Sequence, residues 1–326
     1  MKLIKKMFCT SLAAVLALSC AACTGKDNTD PSSEGPSGCT QDAVIYADGT
    51  AAPAQDQDEP GTKVGNPEVI GSTANPMAPS PSDYAPTQDS QSRETVRVTI
   101  TEGMTLTQIF KKLEENGVCS FSDLMSTSQS YDYSYYPLIA ARPSNTRAFK
   151  LEGYLFPETY DFYKNEKPQD AIGRFLRVGE NKITSSDRAK AKSMGYSIDQ
   201  ILTVASIIEK EGSNPNEVAK IAAVIYNRLE AGMKLQMDSG IYYIERNVKP
   251  YISGDVNRYN SLYNMYKCSG LPAGPICNPG KKTINAALSP ADVSYLYFCH
   301  DSNANYYYAD TWEEHQANLE KAGISS

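Results

Sequence analysis

The sequence SIDQILTVASIIEKEG, residues 197–212, decides the fold of the second half of the chain. Ser197 and Gln200 have the spacing of a capping box, which marks the start of a helix. Apolar residues then recur every three or four positions, and Gly212 is a typical helix end. The apolar stripe consists of Ile201, Val204, Ala205 and Ile208. The stretch therefore predicts an amphipathic helix that ends at Glu211 and packs one face against a core.

A second helix is predicted directly after this one. Asn214 is a candidate cap, Pro215 suits the first helical position, and Glu217 lies three residues after the cap. Apolar positions continue to Leu229, and Gly232 ends the pattern. Two helices joined by so short a turn should pack as a hairpin or corner. Further along, the patterns predict short strands at 240–244 and 294–299 and a final helix at 311–322.

The chain preceding the helical pair carries a smaller pattern of its own. Residues 96–100 alternate like a strand, and Thr105 with Gln108 forms a second capping box, whose helix stops near Gly117. Another helix is expected from about Ser122. The expected fold class is therefore α+β, with a small αβ module at 94–147 and a mixed α/β domain at 148–326 that contains the helical hairpin.

The N-terminus, residues 1–23, reads as an export signal. Three lysines flank an apolar run at 7–18, which is too short to span a bilayer. The ending Leu16-Ala17-Leu18-Ser19-Cys20 resembles a bacterial lipobox, and Ala21-Ala22-Cys23 is a second candidate. Lipidation of Cys20 or Cys23 would anchor the chain to the extracytoplasmic face of the bacterial cell membrane. An ordinary cleaved signal peptide is the alternative.

Residues 24–93 have the composition of a disordered acidic linker. They hold nine of the nineteen prolines, and eleven acidic residues against three basic ones. Most of the net charge of −7 therefore belongs to this segment, and no basic cluster indicates a nucleic-acid partner. The chain has two histidines, His300 and His315, which excludes a multi-histidine metal centre. Cys119, Cys268, Cys277 and Cys299 lack the paired spacing that zinc needs.

Two glutamates at the end of the first helix, Glu209 and Glu211, are candidates for acid–base chemistry. At 100° per residue they point about 200° apart, so only one of them can face a given cleft. Both border the apolar stripe, and periodicity prefers Glu211 only slightly. A carboxyl group at the edge of an apolar face has a raised pKa, as a general acid requires at neutral pH. Solvated helix-end glutamates are the simpler interpretation of this segment alone.

Five blocks of sequence carry a wider pattern. In chain order they are Leu151-Glu152-Gly153-Tyr154-Leu155-Phe156-Pro157-Glu158-Thr159-Tyr160; residues 205–211; residues 224–229 with 232–236 and Asp238; Tyr263-Asn264, Tyr266 and residues 270–276 with 278–280; and Glu314-His315. Together these blocks resemble the YceG-like family, the endolytic peptidoglycan transglycosylases of the MltG type. The resemblance covers about 95–322 and includes a LysM-like module at its start.

The resemblance implies cleavage of the MurNAc–GlcNAc β-1,4 bond within glycan strands, leaving a 1,6-anhydro-MurNAc end. One carboxyl group can protonate the departing oxygen and then accept the proton of the sugar's own 6-hydroxyl. Position in the family motif assigns this role to Glu211 and leaves Glu209 a structural or supporting role. No cofactor is implied. Glycan strands and the membrane are the expected partners, and cell-wall synthesis proteins are further candidates.

The other matched residues are candidates for glycan handling. Asn227, Gln236, Asp238 and Asn264 are expected to hydrogen-bond sugar groups, Tyr160, Tyr263 and Tyr266 to pack on sugar faces, and Glu158 to orient the acid or the substrate. A structural loop role is the alternative for each. Arg228 is instead expected to pair with a helix carboxylate. Cys268 and Cys277 could form a disulfide, although free thiols are preferred.

Three positions depart from the family pattern. Asp238 is followed by Ser239-Gly240 in place of Pro-Thr, Met265 stands where threonine is common, and Ala304-Asn305-Tyr306 replaces Gly-x-His. These changes leave a second hypothesis open, namely a weak or inactive relative that binds glycan as a membrane-anchored scaffold. A generic ligand-binding lipoprotein is the third, with no specific feature in its favour.

Overall fold

The structure, a computed structural model, describes residues 94–143, 147–212 and 214–324. Within these ranges the chain forms eleven α-helices and two antiparallel sheets of two strands each. The expected α+β class is thus confirmed in its coarse form. The predicted signal segment at 1–23, most of it basic or apolar, and the predicted linker at 24–93 lie outside the described residues, as do Cys20 and Cys23.

The elements fall into two successive groups along the chain. The first group is β1 (Thr95–Thr99), α1 (Leu106–Glu115), α2 (Phe121–Ser130), α3 (Pro137–Ala140), β2 (Thr159–Tyr163), α4 (Pro168–Lys182) and α5 (Ser185–Ser193). The second group is α6 (Ile198–Glu211), α7 (Val218–Glu230), α8 (Ser239–Tyr243), which continues as a π-helical turn (Ile244–Val248), α9 (Arg258–Tyr263), α10 (Lys281–Leu288), β3 (Tyr297–His300), β4 (Tyr306–Ala309) and α11 (Trp312–Lys321).

The first sheet pairs β1 with β2 in antiparallel register, with Thr95 opposite Tyr163 and Thr99 opposite Thr159. The three helices α1, α2 and α3 lie between these strands in the chain. The predicted boundary at 147/148 therefore separates two strands of one sheet. Helix α1 begins with the expected capping box, because Thr105 accepts from the Gln108 amide and Gln108 accepts in return.

Helix α6 is buried along most of its length. Its capping box at Ser197 and its end at Glu211 are as predicted. It packs against α5, α7, α8 and α10, and polar residues such as Thr203 and Ser206 are buried with the apolar stripe. Gly212 is the C-terminal cap of the helix, and a Cβ atom there would lie 2.8 Å from the Ile208 carbonyl oxygen, so the position favours glycine. The helix is thus an interior element, with partners on several sides.

Two predicted elements need correction. Helix α7 begins at Val218, three residues later than expected, because the Asn214 side chain accepts from the Asn216 amide and forms a turn instead of a cap. The expected strand at 240–244 is wrong, since this stretch is helical in α8 and its continuation. The Asp238 carbonyl accepts from the Ile241 amide at 2.8 Å and starts that helix. Short apolar runs do not distinguish helix from strand.

A buried ion pair anchors the N-terminal end of α6. Arg147 donates to both carboxylate oxygens of Asp199, at 2.9 and 2.8 Å, and Tyr154 donates to the same carboxylate at 2.5 Å. Arg147 also donates to the Ala273 carbonyl at 3.1 Å. Gly274 is required beside it, since a Cβ atom there would lie 2.8 Å from the guanidinium carbon. The first sequence block, through Tyr154, and the fourth, through Ala273 and Gly274, thus meet at the N-terminal end of the helix.

The opposite end of α6 faces the β3–β4 hairpin. The two strands pair antiparallel, with Phe298 opposite Tyr308 and His300 opposite Tyr306. The predicted strand at 294–299 is thereby confirmed with shifted bounds, and the predicted final helix is α11. Among the described residues, no helix is long and apolar enough to cross a membrane.

Candidate active site

The carboxyl group of Glu211 is buried at the last turn of α6. The residue is 3% exposed, and its Oε2 atom has no hydrogen-bond partner among the described residues. Burial raises the pKa of Glu211 to about 7, because removal from water penalises the charged form. A buried carboxyl oxygen without a partner is rare in folded proteins and indicates a functional group. Glu211 is therefore suited to hold a proton at neutral pH.

Residues of the segment that begins α8 surround this carboxyl group. Ser239, 8% exposed, lies against it through its hydroxyl and amide, which oppose the rise in the Glu211 pKa, while the carboxylate of Asp238 adds to the rise. The Ser239 hydroxyl makes no hydrogen bond of normal geometry. Asp238 itself is half-buried, and burial raises its pKa while a hydrogen bond from Tyr266 lowers it. The acid thus faces two polar groups from one turn.

Glu209 occupies a different environment, two residues earlier on α6. One of its oxygens, Oε2, accepts from the Gly280 amide at 3.0 Å and from the Thr283 hydroxyl at 2.6 Å. Gly280 is the N-cap of α10 and Thr283 lies in its first turn, so the Glu209 carboxylate accepts from one amide and one hydroxyl at a helix start. The periodicity of the helix hardly distinguished the two glutamates as candidate acids, whereas their hydrogen-bond partners in the structure differ completely.

Tyr306 completes the surroundings of the acid, and its position is one of the departures from the family pattern. Its hydroxyl donates to the Glu211 carbonyl at 2.8 Å, a group that the end of α6 leaves without an intrahelical partner. Ser239 belongs to another departure. Neither Ser239 nor Tyr306 was predicted as a functional residue. Their departure from the family pattern is the signal that could have identified them, because both contact Glu211.

The departures at 239–240 and at 265 also lie close to each other. A Cβ atom at Gly240 would lie 2.1 Å from the Tyr263 carbonyl oxygen and 3.3 Å from the Met265 Cε atom. The threonine expected at Gly240 could not be accommodated with this backbone. The changes at 239–240 and 265 are therefore a matched pair within one packed region.

The polar residues predicted on α7 and after it have structural partners. Asn227 donates to the Val293 and Tyr295 carbonyls at 2.8 and 3.0 Å. Arg228, 1% exposed, donates to the Lys234 and Leu296 carbonyls and to the Gln236 side chain. The expected pairing of Arg228 with a helix carboxylate is thus wrong, because carbonyl groups surround it. Gln236 has a positive φ of 54°, and its amide donates to Met265.

Two of the tyrosines predicted to contact sugar lie in the core. Tyr160 is 5% exposed, packs against Phe162 and Phe175, and donates to the Phe156 carbonyl at 2.5 Å. Tyr263 is 1% exposed, and its hydroxyl accepts from the Ala148 amide at 3.1 Å. Their burial corrects the prediction that these rings pack on sugar faces, since no ring face is available.

The last two predicted residues and the cysteines also have defined places. Asn264, 8% exposed, accepts from the Tyr266 amide at 2.9 Å and shapes the loop beside Asp238. Glu158 is exposed and pairs with Lys182 at 3.0 Å, which lowers its pKa.

Among the described cysteines every thiol is free, so Cys268 and Cys277 form no disulfide. The structure thus gathers Glu211, Asp238, Ser239, Tyr266 and Tyr306, whereas its contacts do not connect Glu158 with them.

A second buried carboxyl group, Glu152, was not predicted as a chemical residue. It is 1% exposed and accepts from the Leu106 amide at 2.9 Å, the Asn278 side chain at 3.1 Å and the Tyr243 hydroxyl at 3.3 Å. Burial raises its pKa to about 8. Both carboxyl oxygens of Glu152 have hydrogen-bond partners, whereas one oxygen of Glu211 has none. Glu152 is therefore a structural group whose hydrogen bonds connect α1, α8 and the loop at 278. The described residues contain no cluster suited to hold a metal ion.

Comparisons with known proteins identify the family. The model of the YceG-like family matches residues 80–321. An endolytic murein transglycosylase of Bacillus subtilis (strain 168) is 32% identical over 232 residues, which are 69% of this chain and 64% of that protein. An endolytic murein transglycosylase of Streptococcus pneumoniae (serotype 2, strain D39) is 33% identical over 177 residues, 52% of this chain and 32% of that protein.

A solved structure agrees with these sequence relatives. The crystal structure of a YceG-like protein from Listeria monocytogenes superposes on this chain with a TM-score of 0.57 and 29% sequence identity. The match covers 71% of this chain and 77% of the Listeria chain. The chain spans less than two thirds of the length of the two transglycosylases it matches. The order of its sequence blocks, its fold and these matches agree: the chain belongs to the YceG-like family.

Proposed function

We propose that the chain is an endolytic lytic transglycosylase that cleaves MurNAc–GlcNAc β-1,4 bonds of peptidoglycan and leaves 1,6-anhydro-MurNAc ends. The observation that carries the proposal is the buried carboxyl group of Glu211, with a partnerless Oε2 and a pKa raised to about 7. Relatives named endolytic murein transglycosylases support murein as the substrate and cleavage within its strands. The proposal assigns the acid and the subsequent base to this single group.

The reaction needs one proton carrier in two successive states. Protonated Glu211 donates its proton to the glycosidic oxygen as the bond to C1 breaks. The resulting carboxylate accepts the proton of the 6-hydroxyl, whose oxygen attacks C1 and closes the anhydro ring. Ordinary glycosidases need a second carboxylate for a water or covalent step, which an internal nucleophile replaces. A pKa near 7 suits a group that must both give and take a proton at neutral pH.

The surrounding groups have supporting roles in this proposal. The Asp238 carboxylate favours the protonated form of Glu211, and the Ser239 hydroxyl and Oε2 are free to bond a sugar hydroxyl. Since Glu211 is 3% exposed, strand binding must move residues packed over the carboxyl group. Asn227 and Arg228 hold the α7 side of the site through backbone carbonyls rather than by binding substrate.

The proposal extends to the parts of the chain that precede the site. Residues 94–147 are proposed to be a LysM-like module, supported by β1, α1 and α2. The sheet partner of β1, strand β2, lies beyond these bounds. Residues 1–23 are proposed to direct export and lipidation at Cys20 or Cys23, with 24–93 as a tether. The enzyme would then act at the extracytoplasmic face of the membrane on glycan strands, near cell-wall synthesis proteins.

Product analysis in isotopic water tests the reaction class. The purified full-length chain is incubated with peptidoglycan glycan strands in H₂¹⁸O, and new ends are analysed by mass. Internal attack predicts anhydro ends without ¹⁸O, and Glu211→Gln predicts none of these ends. Hydrolysed ends that carry ¹⁸O would refute the internal nucleophile. Binding without any product from the unsubstituted chain would instead favour the scaffold hypothesis.

A further inference from the structure

A row of aromatic side chains leads away from Glu211 across one face of the β3–β4 hairpin. The aromatic row consists of His300, Tyr306, Tyr308 and Tyr295. Neighbouring ring centroids lie 5.1 Å apart between His300 and Tyr306, 6.3 Å between Tyr306 and Tyr308, and 5.2 Å between Tyr308 and Tyr295. All four residues are half-buried, so the row is partly open to solvent.

The row is fixed to the acid-bearing helix. The Tyr306 hydroxyl donates to the Glu211 carbonyl at 2.8 Å, and the Tyr308 hydroxyl donates to Glu217 at 3.0 Å, just before α7. The register explains the alignment, because residues opposite each other on paired strands share a face of the sheet. Phe298, 1% exposed, lies on the same face and contacts Tyr308, with ring centroids 6.2 Å apart. The rings therefore have fixed positions relative to the acid.

We infer that the aromatic row is a glycan-binding surface that holds sugar residues of a strand on one side of the bond facing Glu211. This inference rests on the proposed function and names where the strand lies. Tyrosine presents an apolar face with a polar tip, which suits a sugar. Sugar-contacting rings were expected at Tyr160, Tyr263 and Tyr266, of which the first two are buried. Tyr266 lies beside Asp238, and the hairpin adds an aromatic surface that contacts Glu211 through the Tyr306 hydroxyl.

Polar groups at the edge of the row fit the same ligand class. The Lys220 ammonium group lies 5.2 Å from the centre of the Tyr308 ring and pairs with Glu217 at 3.0 Å. A carbohydrate site combines apolar contact with a few polar groups that fix orientation. Glu217 and Lys220 would offer an acceptor and a donor to sugar hydroxyl or carboxyl groups beside the ring.

Chain-length dependence of binding separates this role from a purely structural one. Tyr306 lies next to the acid, and Tyr295 is the most distant ring on the Tyr308 side of the row. A ligand too short to reach Tyr295 should be insensitive to its loss. A residue that merely supports the hairpin would affect short and long ligands alike.

The test measures binding without turnover, with the full-length chain carrying Glu211→Gln. Peptide-free glycan strands are separated into a long pool and a pool of disaccharides and tetrasaccharides, and Kd is measured for each pool. Tyr295→Ala should weaken binding of long strands about three- to tenfold. Tyr295→Phe should bind them normally, since it retains the ring. Short-fragment binding should be unchanged in both variants.

Tyr307→Ala is the matched control, because Tyr307 lies on the same strand but on the opposite face, where it donates to Asp301. It should bind both pools normally. The inference is overturned if Tyr295→Ala binds long strands normally, if Tyr307→Ala loses as much, or if short fragments are equally affected. Absence of glycan binding by every chain would instead overturn the proposed function, and the inference with it.

Discussion

Replacement of Glu152 by glutamine should remove a large pH dependence from the stability of the fold. Glu152 is 1% exposed, and burial raises its pKa from the ordinary 4.5 to about 8. Glutamine has the shape of the protonated acid, and its carbonyl oxygen can accept from the Leu106 amide and the Asn278 side chain as Oε1 does. The substitution thus removes the titration and preserves the main contacts.

The direction of the pH effect on stability follows from the number of protons bound in the folded and unfolded states. Between pH 4.5 and 8 the folded state retains the Glu152 proton whereas the unfolded state has released it, so stability falls as pH rises. The shift corresponds to a loss of about 5 kcal/mol from below pH 4.5 to above pH 8, at about 1.4 kcal/mol per pH unit. Unsubstituted chain and Glu152→Gln should be similarly stable at pH 4.5, and the variant should be more stable by about 3 kcal/mol at pH 7.

The assay is denaturant unfolding of both chains at pH 4.5, 7 and 9. The difference between the chains at each pH cancels contributions from other groups, including Glu211. Glu158→Gln serves as a control, because Glu158 is exposed and its pKa is lowered by Lys182, so its effect should be small and of opposite sign. A difference between Glu152→Gln and the unsubstituted chain that stays constant across pH would refute the assignment of a buried, protonated Glu152.

Three further predictions concern the site and its support. Initial rates of glycan cleavage should fall about tenfold per pH unit above pH 7, since Glu211 must be protonated to act as the acid. Asp238→Asn should move this fall to lower pH, because the Asp238 carboxylate raises the Glu211 pKa. A rate that does not change with pH would contradict Glu211 as the acid. Asp199→Asn should lower the unfolding free energy by roughly 3–5 kcal/mol, because it removes the carboxylate that balances the charge of buried Arg147. Asp161→Asn, in the exposed pair with Arg97, should change it little, and equal effects would contradict the burial argument. Gly240→Ala should destabilise by roughly 1–3 kcal/mol because of the Tyr263 carbonyl, while Gly173→Ala, 3.6 Å from its nearest neighbour, should be tolerated; thermal unfolding that ranks them in reverse would contradict the packing.

Local signals predicted the elements that local interactions determine. The capping boxes at Ser197 and Thr105 gave the starts of α6 and α1, since cap and partner lie three residues apart. The pairing of β1 with β2 could not be read this way, because Arg97 and its opposite residue Asp161 are 64 positions apart. The helix at 239–243 was mistaken for a strand because five apolar or small residues fit either period.

The sequence indicated which types of residue form the site, but not which groups each of these residues contacts. Periodicity could not separate Glu209 from Glu211, because the difference comes from α10, which supplies donors to Glu209 alone. Tyrosines were ambiguous for a related reason. Tyr160 and Tyr263 satisfy their hydroxyl groups with backbone partners and are buried, whereas Tyr306 uses the same kind of bond at the acid's own helix end.

The central claim, that Glu211 and not Glu209 is the proton carrier, is tested most directly by comparing their glutamine variants. The full-length chain, Glu211→Gln and Glu209→Gln are incubated with glycan strands, and 1,6-anhydro ends are counted over time. Glutamine at 209 can still accept from Gly280 and Thr283, so this variant should retain most of the activity. Glu211→Gln should reduce the rate by at least about 100-fold, as loss of a general acid does. An active Glu211→Gln beside an inactive Glu209→Gln would contradict the account.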